Sequence, residues 1–85
     1  MDTVNISQIV LDVLKPRKPS IVELGKDIRK VKGVKSVNLI VTDVDEKTEK
    51  VSVLITGKSL KVEKIRSTIE DSGATVHSLD EATIT

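Results

Sequence analysis

The chain has 85 residues, a formal net charge of +1 from 14 Lys and Arg against 13 Asp and Glu, and no Cys, Phe, Tyr or Trp. That length holds one domain, the charge balance excludes a global field drawing it to nucleic acid or membrane, and the missing side chains exclude thiolate chemistry and base stacking on aromatics. The core must be built from Val, Ile and Leu, at roughly 1.5–3 kcal/mol per buried side chain, a small total that association between copies would supplement.

Met1-Asp2-Thr3-Val4-Asn5 lacks the basic and apolar regions of a signal peptide, and no apolar run reaches membrane-spanning length, so the expectation is a cytoplasmic protein without a membrane partner. Residues 1–7 read as an N-terminal arm to a single domain. Ile9 to Leu14 is a short β-branched run, broken only by Asp12 and stopped at Lys15-Pro16, which predicts a first strand. Ser20 and Glu23 have the spacing of a capping box, and Ile21, Leu24, Ile28 and Val31 recur at helical spacing up to Gly33. From Val34 the period becomes two: Val37, Leu39 and Val41 alternate with Ser36, Asn38, Ile40 and Thr42. Asp43 to Lys50 reads as a polar hairpin loop, and Val51, Val53 and Ile55 mark the next strand. Gly57-Lys58-Ser59 predicts a break and an N-cap; Val62, Ile65 and Ile69 form a second helical stripe closed by Ser72-Gly73; Ala74 to Leu79 is a last strand.

The order β-α-β-β-α-β predicts an α+β ferredoxin-like sandwich, with an antiparallel four-stranded sheet ordered 4-1-3-2 and two helices on one face. The positions facing away from those helices are then unusually apolar. Val10, Leu14, Ile40, Leu54 and Leu79 surround Asp12 and His77, a composition that fits contact with another copy better than a solvated face. Scattered surface aliphatics are the plainer alternative. The last strand carries no Lys or Pro to discourage edge pairing, so a homo-oligomer is expected.

Candidate chemistry is sparse. Asp12 and His77 fall on adjacent strands and form a structural hydrogen-bonded pair, a small-ligand site or part of a metal site; one imidazole and one carboxylate are too few for a recognisable catalytic or metal set in one chain. Asp43, Asp45, Glu46 and Glu49 make an acidic stretch that could attract Ca²⁺ or Mg²⁺, but without the glycine and register of an EF-hand it reads first as a solvated hairpin tip. Lys15, Arg17, Lys18 and Ser20 could hold phosphate, with Glu23 competing for the same amides. Lys58, Lys61, Lys64 and Arg66 are interrupted by Glu63, which makes a solvated helix face the better reading than a nucleic-acid stripe. No nucleophile-base set, phosphate-binding loop or zinc signature occurs, so no enzyme and no cofactor is expected.

Gly33-Val34-Lys35-Ser36-Val37 superficially resembles the heavy-metal-associated metallochaperone domain, but the C-x-x-C pair that such a domain needs is replaced by Lys15, Arg17 and Lys18. The first strand followed by Lys15-Pro16 is similar to modules of the ACT type, which share this topology and bind amino acids between subunits; Ser20 stands in the region where their glycine is expected. More specific are Leu11-Asp12-Val13-Leu14-Lys15-Pro16, Pro19-Ser20-Ile21-Val22-Glu23-Leu24, Gly33-Val34 and His77-Ser78-Leu79-Asp80-Glu81. These resemble the small archaeal proteins of domain-of-unknown-function family 211, from about Ile9 onward. The resemblance implies a ferredoxin-like fold, an archaeal cytoplasm and homo-oligomers, rings among them. It implies no activity and no catalytic residues, and nominates Asp12, Lys15, His77, Asp80 and Glu81 only by position. The resulting expectation is a non-enzymatic, oligomer-forming domain binding a small ligand or divalent cation between subunits. The ligand and interface candidates are Val10, Asp12, Leu14, Lys15, Ile40, Leu54, His77 and Leu79, and the metal candidates are Asp43, Asp45, Asp12 and His77.

Overall fold

A computed structural model of the chain describes residues 4–85. The elements are β1 (Ile6–Pro16), α1 (Ile21–Arg29), β2 (Val34–Val44), β3 (Thr48–Gly57), α2 (Val62–Asp71) and β4 (Thr75–Ile84). The four strands form one antiparallel sheet in the order β2-β3-β1-β4, the expected 4-1-3-2 order read from its other edge. Both helices lie on one face, so the fold is the ferredoxin-like α+β sandwich.

Helix α1 starts where the sequence requires. The Ser20 hydroxyl accepts a hydrogen bond from the Glu23 backbone N–H at 3.2 Å, while the Glu23 carboxylate accepts one from the Ser20 N–H at 3.3 Å. Two orphan donors of the first turn are thus satisfied reciprocally. Leu24 and Ile28 on α1, and Ile65 and Ile69 on α2, are fully buried against Ile9, Leu11 and Val13 of β1 and Val51, Val53 and Ile55 of β3. The period of 3.6 on the helices meets the period of two on the strands, and the two central strands supply the sheet side of an all-aliphatic core.

Helix α2 begins later than the Gly57-Lys58-Ser59 signal predicts. Its N-cap is Lys61, with no side-chain cap, and Ser59 instead takes a positive φ of 52° and donates its N–H to the Asn5 side-chain oxygen. The cause is Leu60, which is buried and whose N–H donates to Ile6 O at 2.9 Å. That bond fastens the turn to β1 and leaves the helix to start two residues on.

The strands also outrun the expectation. β1 begins at Ile6, so Ile6 and Ser7 belong to the sheet rather than to an arm; Asn5 and Thr85 exchange two backbone hydrogen bonds, and residues 1–3 of the expected arm lie outside the described residues. β4 continues five residues past Leu79, and the β2–β3 turn is only residues 45–47. Helices of 9 and 10 residues therefore cover strands of 10 and 11 residues. At about 1.5 Å per helical residue against about 3.3 Å per strand residue, less than half the sheet's length is backed.

Candidate functional site

The uncovered face of the sheet is laid out by the strand register. One row across it is Asn38, Leu54, Val10 and Glu81; the next is Ile40, Ser52, Asp12 and Ser78; the third joins Lys50, Leu14 and Thr75. Val10 and Leu54 pair directly, and Leu14 and Ile40 are exposed. Asp12 lies at the centre, half-buried on the central strand.

Leu79 does not join this group. The sequence alternation set it beside Val10 and Leu14, whereas the register sets it opposite Leu11, on the helix-facing side. The reason is a bulge: Asp12 pairs with Ser78 but Val13 pairs with Val76, leaving His77 as the extra residue on β4. One inserted residue reverses the parity of everything beyond it. A second irregularity at Asp80 restores Glu81 to the uncovered side, where its carboxylate accepts a hydrogen bond from Gln8 Nε2 at 3.2 Å.

His77, the extra residue of this bulge, shares a cavity with Asp12. With Val13, Leu14 and Lys50 these two residues line a recess of about 170 Å³. Among the described residues no side-chain hydrogen bond or ion pair joins Asp12, His77 and Lys50, so the hydrogen-bonded pair offered by the sequence is not formed. Asp12, His77 and Lys50 thus line one small cavity, and each side chain has hydrogen-bonding capacity to spare. A second recess of about 250 Å³ shares Leu14 and Lys50 and adds Asp43, Asp45 and Thr48. Lys50, on β3, was missed by sequence reasoning because the apparent hairpin loop ended there; its register opposite Leu14 carries it into both cavities.

The metal candidates divide between the two recesses. Asp43 and Asp45 each give one carboxylate oxygen to the backbone N–H of the following residue, at 3.0 and 2.8 Å, and the Lys50 ammonium shares their cavity. Among the described residues no group of three or more His, Cys, Asp or Glu side chains converges on a common point. A cation there would face a positive charge in its own cavity, which disfavours it.

Lys15 has another role from the one nominated for it. It is 1% exposed, on the helix-facing side, and its ammonium donates to Pro16 O at 2.8 Å, Arg17 O at 3.2 Å and Glu49 Oε1 at 2.8 Å. All three donors are used, so Lys15 has none left for a phosphate or other ligand. Arg17, which is exposed, commits one of its five guanidinium donors to Asp45 O at 3.0 Å. The β1–α1 connection is thereby tied to the β2–β3 turn rather than left open as an anion cradle.

Two comparisons with known proteins bear on this arrangement. A family model described as uncharacterized ArCR, DUF211, matches residues 7–85. The chain belongs to the DUF211 family. A DUF211 assignment agrees with the similarity to an uncharacterized archaeal protein, MJ0319 of Methanocaldococcus jannaschii, which is 40% identical over 76 residues, 89% of this chain and 78% of the relative. The DUF211 match takes in both helices and all of the strands but Ile6, the first residue of β1, and with them Asp12, Lys50 and His77. No helix of the described residues is long and apolar enough to cross a membrane.

Proposed function

We propose that this DUF211 protein is a non-enzymatic cytoplasmic domain that assembles with copies of itself and holds a small zwitterionic ligand, of the amino-acid class, between subunits at the Asp12–His77–Lys50 recess. The observation that carries the reading is the recess itself: opposite charges from Asp12 and Lys50, with His77 between the strands, set among Val10, Leu14, Ile40 and Leu54 on a face without a helix. An ammonium group of the ligand pairs with Asp12 and its carboxylate with Lys50, while the aliphatic rim favours closure by another protein surface over closure by water. A second copy is the fitting cover because two long edges, β2 and β4, are unpaired in the single chain, and β4 has neither Lys nor Pro to blunt pairing. Divalent cations are the weaker reading, since Lys50 stands in the cavity with Asp43 and Asp45.

Light scattering at tens of micromolar, paired with thermal-shift measurements across amino acids, Ca²⁺ and Mg²⁺, tests both halves. We expect a multimer whose mass falls on Ile40→Lys, and a rise in Tm with one or more amino acids that is lost in Asp12→Ala and Lys50→Ala. A wild-type protein that is strictly monomeric, or unmoved by every amino acid, would remove the proposal; stabilisation by Ca²⁺ alone would replace it with the metal reading.

A further inference from the structure

The formal charge of +1 conceals a strong internal asymmetry. Residues 26–35 and 58–66 carry nine of the chain's 14 Lys and Arg with only Asp27 and Glu63 against them, a local charge of +7, while the rest of the chain carries −6. The fold brings these two segments together. Val34 pairs with Gly57, and Lys58 N donates to Gly33 O at 2.9 Å, so the turn after α1 abuts the turn after β3 at one end of the sheet.

Where the turns meet, Lys32, Lys58 and Lys61 surround a recess of about 330 Å³ whose remaining lining is Gly33 and Ser59. No carboxylate lines it, and among the described residues none of the three lysines is in an ion pair. The walls are fixed. Ser59 is tethered through its N–H to Asn5, Leu60 to Ile6, and Gly33 has φ +95° with Lys58 O so close that a Cβ would lie 2.6 Å from it. Gathering three cations without a counter-charge is unfavourable, and the cost is relieved by a ligand carrying two or more negative charges.

From these observations we propose that the Lys32–Lys58–Lys61 recess is a phosphate-binding site, taking a phosphorylated small molecule by its phosphate groups. A single carboxylate would leave most of the charge uncompensated, whereas a phosphomonoester or polyphosphate supplies both the charge and acceptor oxygens for three ammonium groups, the Ser59 hydroxyl and the uncapped start of α2. A chain without Phe, Tyr or Trp offers no platform for stacking bases, and a single recess of about 330 Å³ spans far less than the backbone of a nucleic acid, so a small molecule is favoured over RNA or DNA. This site lies at the opposite end of β3 from Lys50 and is independent of the recess around Asp12.

Calorimetric titration of inorganic tripolyphosphate into the full chain tests it, with a single-stranded oligonucleotide as a second ligand. The expected result is one tripolyphosphate site per chain, weakened about tenfold or more by Lys58→Ala and again by Lys61→Ala, and unchanged by Lys47→Ala at the other end of the sheet. All three lysines are exposed, and circular dichroism of each variant confirms that the fold is kept. No tripolyphosphate binding, equal loss in Lys47→Ala, or binding of the oligonucleotide alone would each overturn the assignment. A fall in molecular mass as tripolyphosphate is added would also overturn it, because the recess would then be filled by carboxylates of another copy.

Discussion

Replacing Lys15 by Met removes an ammonium that is sealed between β1, β3 and the β1–α1 connection. Three acceptors lose their donor: the Pro16 and Arg17 carbonyls, and the Glu49 carboxylate 2.8 Å away, whose side chain keeps only 20% of its exposure. Breaking a fully buried pair by removing one partner costs about 3–5 kcal/mol. Glu49 retains some water, and the Met side chain recovers the packing of the lysine stem, so we expect a loss of about 2–4 kcal/mol. For a domain of this size that corresponds to a fall in Tm of roughly 10–30 °C. Urea unfolding at one fixed protein concentration for every variant measures it, so that any association between copies, which would make the apparent stability concentration-dependent, is held constant. The cycle of Lys15→Met, Glu49→Gln and the double variant separates the pair from the carbonyls. We expect the double variant to be less destabilised than the two single changes summed, by about 1–2 kcal/mol. A Lys15→Met protein within about 0.5 kcal/mol of wild type, the range of ordinary surface substitutions, would refute the claim that this ammonium organises the connection.

Two further changes probe the frame around it. Ser20→Ala deletes the hydroxyl that accepts from Glu23 N and should cost about 1 kcal/mol in the same urea assay, with Ser20→Asn restoring most of it; equal stability of wild type and Ser20→Ala would mean that the capping box contributes nothing. Gly57→Ala drives a methyl group into Gly33 O, on backbone that Lys58 N holds in place, and should destabilise by about 3 kcal/mol or more; a folded Gly57→Ala protein of wild-type stability would show that the two turns can part freely.

The order of elements was legible because two periods alternate cleanly along the chain, and the aliphatic residues at those periods form the core. Leu24 and Ile28, then Val51, Val53 and Ile55, are all buried as their spacing requires. Strand ends were not legible where pairing across the sheet, rather than local preference, decides them. Asp80-Glu81-Ala82-Thr83 has little of a strand in its composition, yet its register against β1 extends it to Ile84. The site was legible in part. Asp12 and His77 were nominated together and share a recess, while Lys50 and the displacement of Leu79 depend on register and on a bulge, neither of which a single sequence displays. Lys15 was hidden for a different reason: a lysine is buried only where acceptors wait for it, and one of them is Glu49, its partner across the sheet rather than along the chain.

Because β1 is flanked by β3 on one side and β4 on the other, its hydrogen bonds come due at two different times during synthesis. The β3 side closes once about two-thirds of the chain exists, but Leu14 must wait for Thr75 and Ile6 for Ile84. Until then the first strand made presents an unpaired edge in the nascent polypeptide. Pairings this distant in sequence slow folding and lengthen exposure to wrong partners. A release of the chain at residue 74, short of β4, would leave that edge permanently open, and such a fragment should aggregate where the full chain folds.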